Sequence, residues 1–106
     1  MHIEGGTNVA KNYYEHASGF KNDSVRNSSR FGDSGNTLMS VGNGRDIYET
    51  SRLADTHYHN AFEVRQSGDI YIPDVSAAGE YYEKPMINLQ QKIYELEARL
   101  AALENA

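Results

Sequence analysis

His57, Tyr58 and His59 are the residues whose types and spacing most directly suggest chemistry. In an extended segment, residues two apart project to the same side, so both imidazoles would face one way. Three such chains meeting on an axis would gather six imidazole nitrogens, an octahedral set suited to a first-row divalent ion such as iron or nickel. The competing expectation is a solvated, unliganded pair in a polar stretch, and no metal ligand is assigned. His2 and His16 read differently. They occupy equivalent places in a faint repeat, where hydrogen bonding that closes a turn is expected rather than catalysis.

Other reactive constellations are missing. The chain has no Gly-x-Ser-x-Gly elbow, no phosphate-binding loop, no His-Glu-x-x-His and no cysteine, the patterns that activate a nucleophile, cradle a phosphate or hold a catalytic zinc. The expectation is a protein that is not an enzyme and holds no cofactor. Tyr13, Tyr14, Tyr48, Tyr58, Tyr71, Tyr81, Tyr82 and Tyr94 could stack on sugar faces while their hydroxyls hydrogen-bond. Packing and rim positions are the commoner use of such side chains.

Ten basic against fifteen acidic residues give a formal charge of −5, which repels a phosphate backbone, and no basic stripe offsets it. Nucleic acid is therefore not an expected partner. No stretch approaches the ~18 apolar residues of a membrane span, and Met1 to Gly6 do not read as an export signal. A soluble chain with no membrane partner is expected. The lack of cysteine leaves the redox compartment open.

The apolar residues are unevenly placed. Residues 1–85 hold two leucines, four isoleucines, five valines and three phenylalanines, about 16% of that segment, below the ~20% typical of a self-sufficient core. Such a deficit means either disorder or a core assembled from several chains. Eight tyrosines and three phenylalanines lean against disorder, and a chain this short buries its own surface inefficiently. A shared core is the expectation.

From Met86 onward the apolar residues alternate in steps of three and four, as a heptad seam does. Met86, Ile93 and Leu100 take position a; Leu89, Leu96 and Leu103 take d. Pro85 suits a first helical position, where its missing N–H costs nothing, so the spacing predicts a helix over 85–104. Lys92 and Arg99 fall at g, from which each can reach the e residue five positions later on a neighbouring chain, Glu97 and Glu104. That pairing requires parallel, in-register helices. The same stripe would also suit a helix packed on its own domain, but residues 1–85 offer little to pack against. Ordering some 20 residues costs at least as much as burying the seam contributes, so the helix must be coupled to a partner region upstream.

That region reads as strands. Thr37 to Val41 is one, ended by Gly42-Asn43-Gly44. Ala61 to Arg65 alternates with Phe62 and Val64 on one face, Gln66 to Asp69 supplies a turn, and Ile70 to Ile72 completes a hairpin. Pro73 cannot donate to a ladder and should end that strand. Residues 45–59 read as a long polar loop and 74–84 as a linker. Upstream, His2-Ile3-Glu4-Gly5 recurs fourteen residues later as His16-Ala17-Ser18-Gly19, with the apolar position continuing as Ile3, Ala17 and Phe31. A short fixed period of this kind is how a solenoid reads when a single coil cannot bury its own face.

The run His2-Ile3-Glu4-Gly5-Gly6-Thr7-Asn8-Val9-Ala10 resembles the His-x-Glu-Gly repeats of trimeric left-handed β-rolls, found in the heads of trimeric autotransporter adhesins and in bacteriophage fibres. Gly35 to Gly44 and Asn60 to Ile72 look like a module near the C-termini of phage tail and head fibre proteins. Arg99-Leu100-Ala101-Ala102-Leu103-Glu104 resembles a trimer-specifying coiled-coil motif, repeated one heptad earlier with Lys92 for the arginine. Segments 20–34, 45–59 and 74–84 lie outside these resemblances. Some phage fibres use His-x-His pairs for metal, and some carry a self-cleaving C-terminal chaperone, for which no serine-lysine pair is found here.

The resemblance implies a mainly β protein: an intertwined trimeric fibre body followed by a parallel, trimeric coiled-coil helix. The expected segments are a β-roll-like shaft over 1–36, a strand and hairpin module over 37–73, the 74–84 linker and the 85–104 helix. The expected role is structural, as a homotrimeric head or tail fibre component of a virion, joined to other virion proteins. The alternative is an adhesive tip that binds a bacterial surface glycan through the tyrosines and the 45–59 loop. The residues expected at the trimer interface are the seam Met86, Leu89, Ile93, Leu96, Leu100 and Leu103, the flanking Lys92, Glu97, Arg99 and Glu104, and the hairpin's Phe62, Val64, Ile70 and Ile72.

Overall fold

The computed structural model describes residues 2–12, 14–25 and 33–105. The chain is mainly β and ends in one helix. Its strands are β1 (His2–Ile3), β2 (His16–Phe20), β3 (Thr37–Asn43), β4 (Arg45–Glu49), β5 (Arg52–His57), β6 (Asn60–Arg65), β7 (Ile70–Pro73) and β8 (Met86–Asn88), followed by α1 (Leu89–Glu104). Six strands form one mixed sheet in the order β1-β2-β3-β6-β7-β8, and β4 with β5 forms a separate two-stranded arm.

The fourteen-residue repeat is the register of the first two strands. β1 runs parallel to β2 with His2 opposite His16 and Ile3 opposite Ala17, and the two imidazoles stack with centroids 4.7 Å apart. The same corner follows each strand. Gly5 and Gly19 have φ of +88° and +83°, and Thr7 and Lys21 have φ of 52° and 48°. A side chain at Gly5 or Gly19 would collide with the carbonyl of Gly19 or Gly42 on the next strand, so glycine is required both by the left-handed backbone and by the close approach. Asparagines continue the stacking: the Asn22 amide donates to the Val9 carbonyl at 2.7 Å and to Ser40 Oγ at 2.9 Å.

The period then changes. β2 pairs in parallel with β3, placing His16 opposite Met39 and Ala17 opposite Ser40. Thus Ser40 follows Ile3 and Ala17 in the column where Phe31 was expected, and Phe31 lies outside the described residues. From β3 the sheet turns antiparallel through β6, β7 and β8.

Several boundaries differ from expectation. β3 runs past Val41 through Gly42 to Asn43. Residues 45–57 form the β4–β5 arm, with Asp46 opposite Thr56 and Ile47 opposite Asp55, because alternating β-formers such as Ile47, Tyr48, Leu53 and Thr56 satisfy their backbone groups on each other. The helix starts at Leu89 instead of Pro85. Met86 and Ile87 instead extend the sheet, with Ile87 opposite Ile72 and Met86 opposite Pro73. Asn88, not Pro85, begins the helix because its side chain accepts from the Gln91 N–H at 3.1 Å, satisfying one of the donors a helix start leaves free. Met86 therefore leaves the heptad seam. Within 74–84, the side chain of Asp74 accepts from the Ser76 N–H, and Glu80 and Glu83 cap a short 3₁₀ turn at Tyr81–Glu83 reciprocally.

The interior of a single chain is polar. Among the described residues, Ala17 is the one apolar side chain that is fully buried, against Asn12, Glu15, Lys21, Asn22, Ser24, Asn36, Thr37, Ser40, His59, Asn60 and Glu63. Hydrogen bonds join them: Asn12 and Ser24 each donate to Glu15 Oε1 at 2.7 Å, and Thr37 Oγ1 donates to Glu63 Oε2 at 2.7 Å. Burying such groups is tolerable because most of their polar atoms are paired; Asn12 Oδ1 and Glu15 Oε2 are exceptions among the described residues. The Cα radius of gyration is 16.5 Å, against about 13 Å for a compact domain of this length.

Candidate functional site

Residues directly opposite in a ladder share a face of the sheet. In β3 and β6, Met39 faces Val64 and Val41 faces Phe62. Val64 in turn faces Ile70, and Ile72 faces Ile87. Ile70 and Ile72, two residues apart in β7, point the same way. These pairs compose one apolar face across four strands. All of its members remain partly accessible in the isolated chain, and Met39 is 36% exposed. The opposite face carries Ser40 against Glu63 and belongs to the polar interior.

The four hairpin residues expected at an interface, Phe62, Val64, Ile70 and Ile72, therefore lie together. Met39, Val41 and Ile87 join them without having been singled out from the sequence. Their signal was present in the alternation of 37–41 and in the apolar pair Met86-Ile87, but which strand neighbours which is a matter of tertiary pairing.

The helix continues this surface. Between the 66–69 turn and α1 lies a cleft of about 360 Å³, lined by Gly68, Ile70, Leu89, Ile93 and Tyr94 among others. Beyond it the seam is bare: exposure rises from 46% at Ile93 to 53% at Leu96, 57% at Leu100 and 74% at Leu103. No side chain of α1 is buried. An amphipathic helix is stabilised mainly by packing its apolar face, and here no described residue covers the last three seam leucines, which stay more than half exposed.

Lys92, Glu97, Arg99 and Glu104 flank that seam on the exposed helix surface. Lys92 Nζ lies 3.9 Å from Glu95 Oε2, with both side chains about half exposed. Such a solvated pair contributes little and leaves the lysine able to turn elsewhere.

The His57 and His59 imidazoles do not share one environment. His59 is buried; its Nε2 donates to the Lys84 carbonyl at 2.6 Å and its Nδ1 is hydrogen-bonded to the Asn43 amide at 2.6 Å. His57 Nε2 lies 3.1 Å from Asp55 Oδ2, and its ring packs on Tyr82 with centroids 4.7 Å apart. These contacts, with Lys21 Nζ 3.2 Å from Asp46 Oδ1, anchor the arm to the sheet. The Thr56 hydroxyl bonds Asp46 and, with Lys21, holds its carboxyl below the usual range, against a smaller opposing effect of burial. A buried imidazole with both nitrogens engaged is a bracket, not a free ligand.

The tyrosines divide between packing and exposure. Tyr71 lies under the Arg65 guanidinium at 4.4 Å, and Tyr82 packs between His57 and Arg45. Tyr48 and Tyr58, on and beside the arm, are 59% and 50% exposed. Tyr13 lies outside the described residues. Comparison of the chain with protein-family models, with curated proteins and with solved structures found no match.

Proposed function

We propose that this chain is a homotrimeric, structural fibre component of a bacteriophage virion, with three copies sharing the apolar sheet face and the α1 seam. The observation that carries the reading is the continuity of those two surfaces from Val41 to Leu103, left open by an interior that is almost wholly polar. An apolar surface of this extent marks an interface. The occupant is a further copy of the same chain, because a helix with Lys92 and Arg99 at g and Glu97 and Glu104 at e complements itself in parallel register. The fibre assignment rests in addition on the resemblance of residues 2–10, 35–44 and 60–72 to phage fibre repeats and modules.

The association would also explain how so short a helix is stable. The hairpin face and the seam assemble together, so neither bears the ordering cost alone. The test is the native mass in solution, by light scattering on a sizing column at several concentrations. Three times the 11.9 kDa of the chain is the expected result; a monomer or a stable dimer contradicts it.

A second reading, binding of a bacterial surface glycan, is favoured by one groove. About 170 Å³ in volume, it is lined by Val9, Lys11, Asn22, Asp23, Ser24 and Tyr58. Lys21 Nζ lies 5.2 Å from the centroid of the Tyr58 ring. Asn22 and Ser24 form its buried, internally hydrogen-bonded floor, while the accessible Tyr58 face beside the exposed Lys11 and Asp23 offers the aromatic and charged groups that hold a sugar ring. Glycan-array binding by the parent protein, lost on Tyr58→Ala, would support it; an array without signal would remove it.

A further inference from the structure

His2, Glu4 and His16 bring two imidazoles and a carboxylate together on the first two strands. One ligand atom from each lies within 4.8 Å of the other two. The placement follows from the fold: the parallel register sets His2 directly opposite His16, and Glu4, two residues after His2, returns its carboxylate to that side, with Oε1 2.9 Å from His2 Nε2. His2 and Glu4 side chains are 57% and 65% exposed, so their donors can be reached from solvent and can reorient.

The geometry points to a site for a single first-row divalent transition-metal ion, held by His2, Glu4 and His16 of one chain. Two imidazoles and one carboxylate match zinc, nickel or copper, whereas calcium and magnesium demand oxygen-rich shells. Ligand bonds of about 2.0–2.1 Å in a tetrahedral site set donors roughly 3.4 Å apart. The stacked, nearly parallel rings therefore close on the ion by side-chain rotation, with water completing the shell. The imidazoles bind a metal ion through neutral ring nitrogens. Such an ion would staple β1, which lies beside β2 at the end of the strand order, to the rest of the sheet. All three ligands come from one chain, so the site does not depend on the assembly proposed above.

Zinc chloride titrated calorimetrically into the full chain should show one ion bound per chain. His2→Ala and His16→Ala should each weaken binding at least tenfold, His57→Ala should leave it unchanged, and magnesium should not compete. Zinc should also perturb the imidazole NMR resonances of both His2 and His16 in the parent protein, a readout that needs no variant. Binding that survives His16→Ala overturns the bridging site. So does a perturbation confined to His57 or His59, or no heat of binding at all.

Discussion

Ile87 lies directly opposite Ile72 in the antiparallel ladder of β7 and β8, one residue before Asn88 caps the helix. The helix thus leaves the sheet from a hydrogen-bonded strand and not from a slack linker. Its seam begins beside the apolar face at Leu89 because β8 fixes both the point and the direction of departure.

Asn88→Ala should therefore weaken this junction. Loss of the bond from the Gln91 N–H to the Asn88 side chain should cost about 1 kcal/mol, read as a lower thermal midpoint by circular dichroism at the helix band. Asn88→Asp, which keeps an acceptor at the helix start, should retain the parent midpoint. Equal losses in both variants would argue that capping is not what holds the start.

Charge reversal tests the direction of the helices. Arg99→Glu should raise the concentration at which the proposed assembly dissociates, because in parallel register it would set a like charge opposite Glu104 of the next helix. Adding Glu104→Arg to the same chain should restore most of the loss. Recovery fits parallel, in-register seams, whereas no recovery excludes that register. Leu100→Asp, a charge in the middle of the exposed seam, should shift the scattering mass to that of one chain.

Two glycines with similar backbones should respond differently. Gly19 and Gly68 have φ of +83° and +92°, so alanine at either carries a conformational cost of roughly 1–2 kcal/mol. At Gly68 the added methyl meets open space, but at Gly19 it strikes the Gly42 backbone of the adjacent strand. Gly68→Ala should fold with a modest loss in midpoint, while Gly19→Ala should lose considerably more or fail to accumulate. Comparable losses would mean that the strands part easily at this corner.

Burial pushes the Glu15 carboxyl above the ordinary range, although hydrogen bonds from Ser24 and Asn12 offset part of the shift. Its Oε2 is buried without a hydrogen-bond partner, an arrangement that favours the protonated acid. A raised folded-state value means that the associated stability is complete below the unfolded value of about 4.3 and is lost as pH rises through the folded value. His2, by hydrogen bonding and by charge, lowers Glu4, and Ser76 lowers Asp74; their contributions run oppositely and fade as pH falls. Thermal midpoints followed from about pH 5 to about pH 8 should fall more in the parent than in Glu15→Gln. Parallel curves would show that Glu15 is not the group responsible.

Much was legible in the residues themselves. The fourteen-residue recurrence of His2 and His16 is a strand register, the alternation at Phe62 and Val64 is a hairpin face, and the three-four spacing from Leu89 is a helix. Each is a periodicity of local geometry, which side-chain order records directly. Pro73 closes β7 as a residue that cannot donate to the ladder. What local order does not record is which distant segments become neighbours. The pairing of β2 with β3 across the 26–32 segment, the alliance of Ile72 with Ile87, and the bracket from His59 to Asn43 and Lys84 all arise from long-range contacts. They decided that Met86 belongs to a strand, that 45–57 is an arm, and that the His59 ring is a buried bracket. The same contacts brought His2, Glu4 and His16 together. Sequence spacing set which face each side chain could occupy; only tertiary pairing decided what stood opposite, because the free energy of pairing depends on partners that the local sequence does not name.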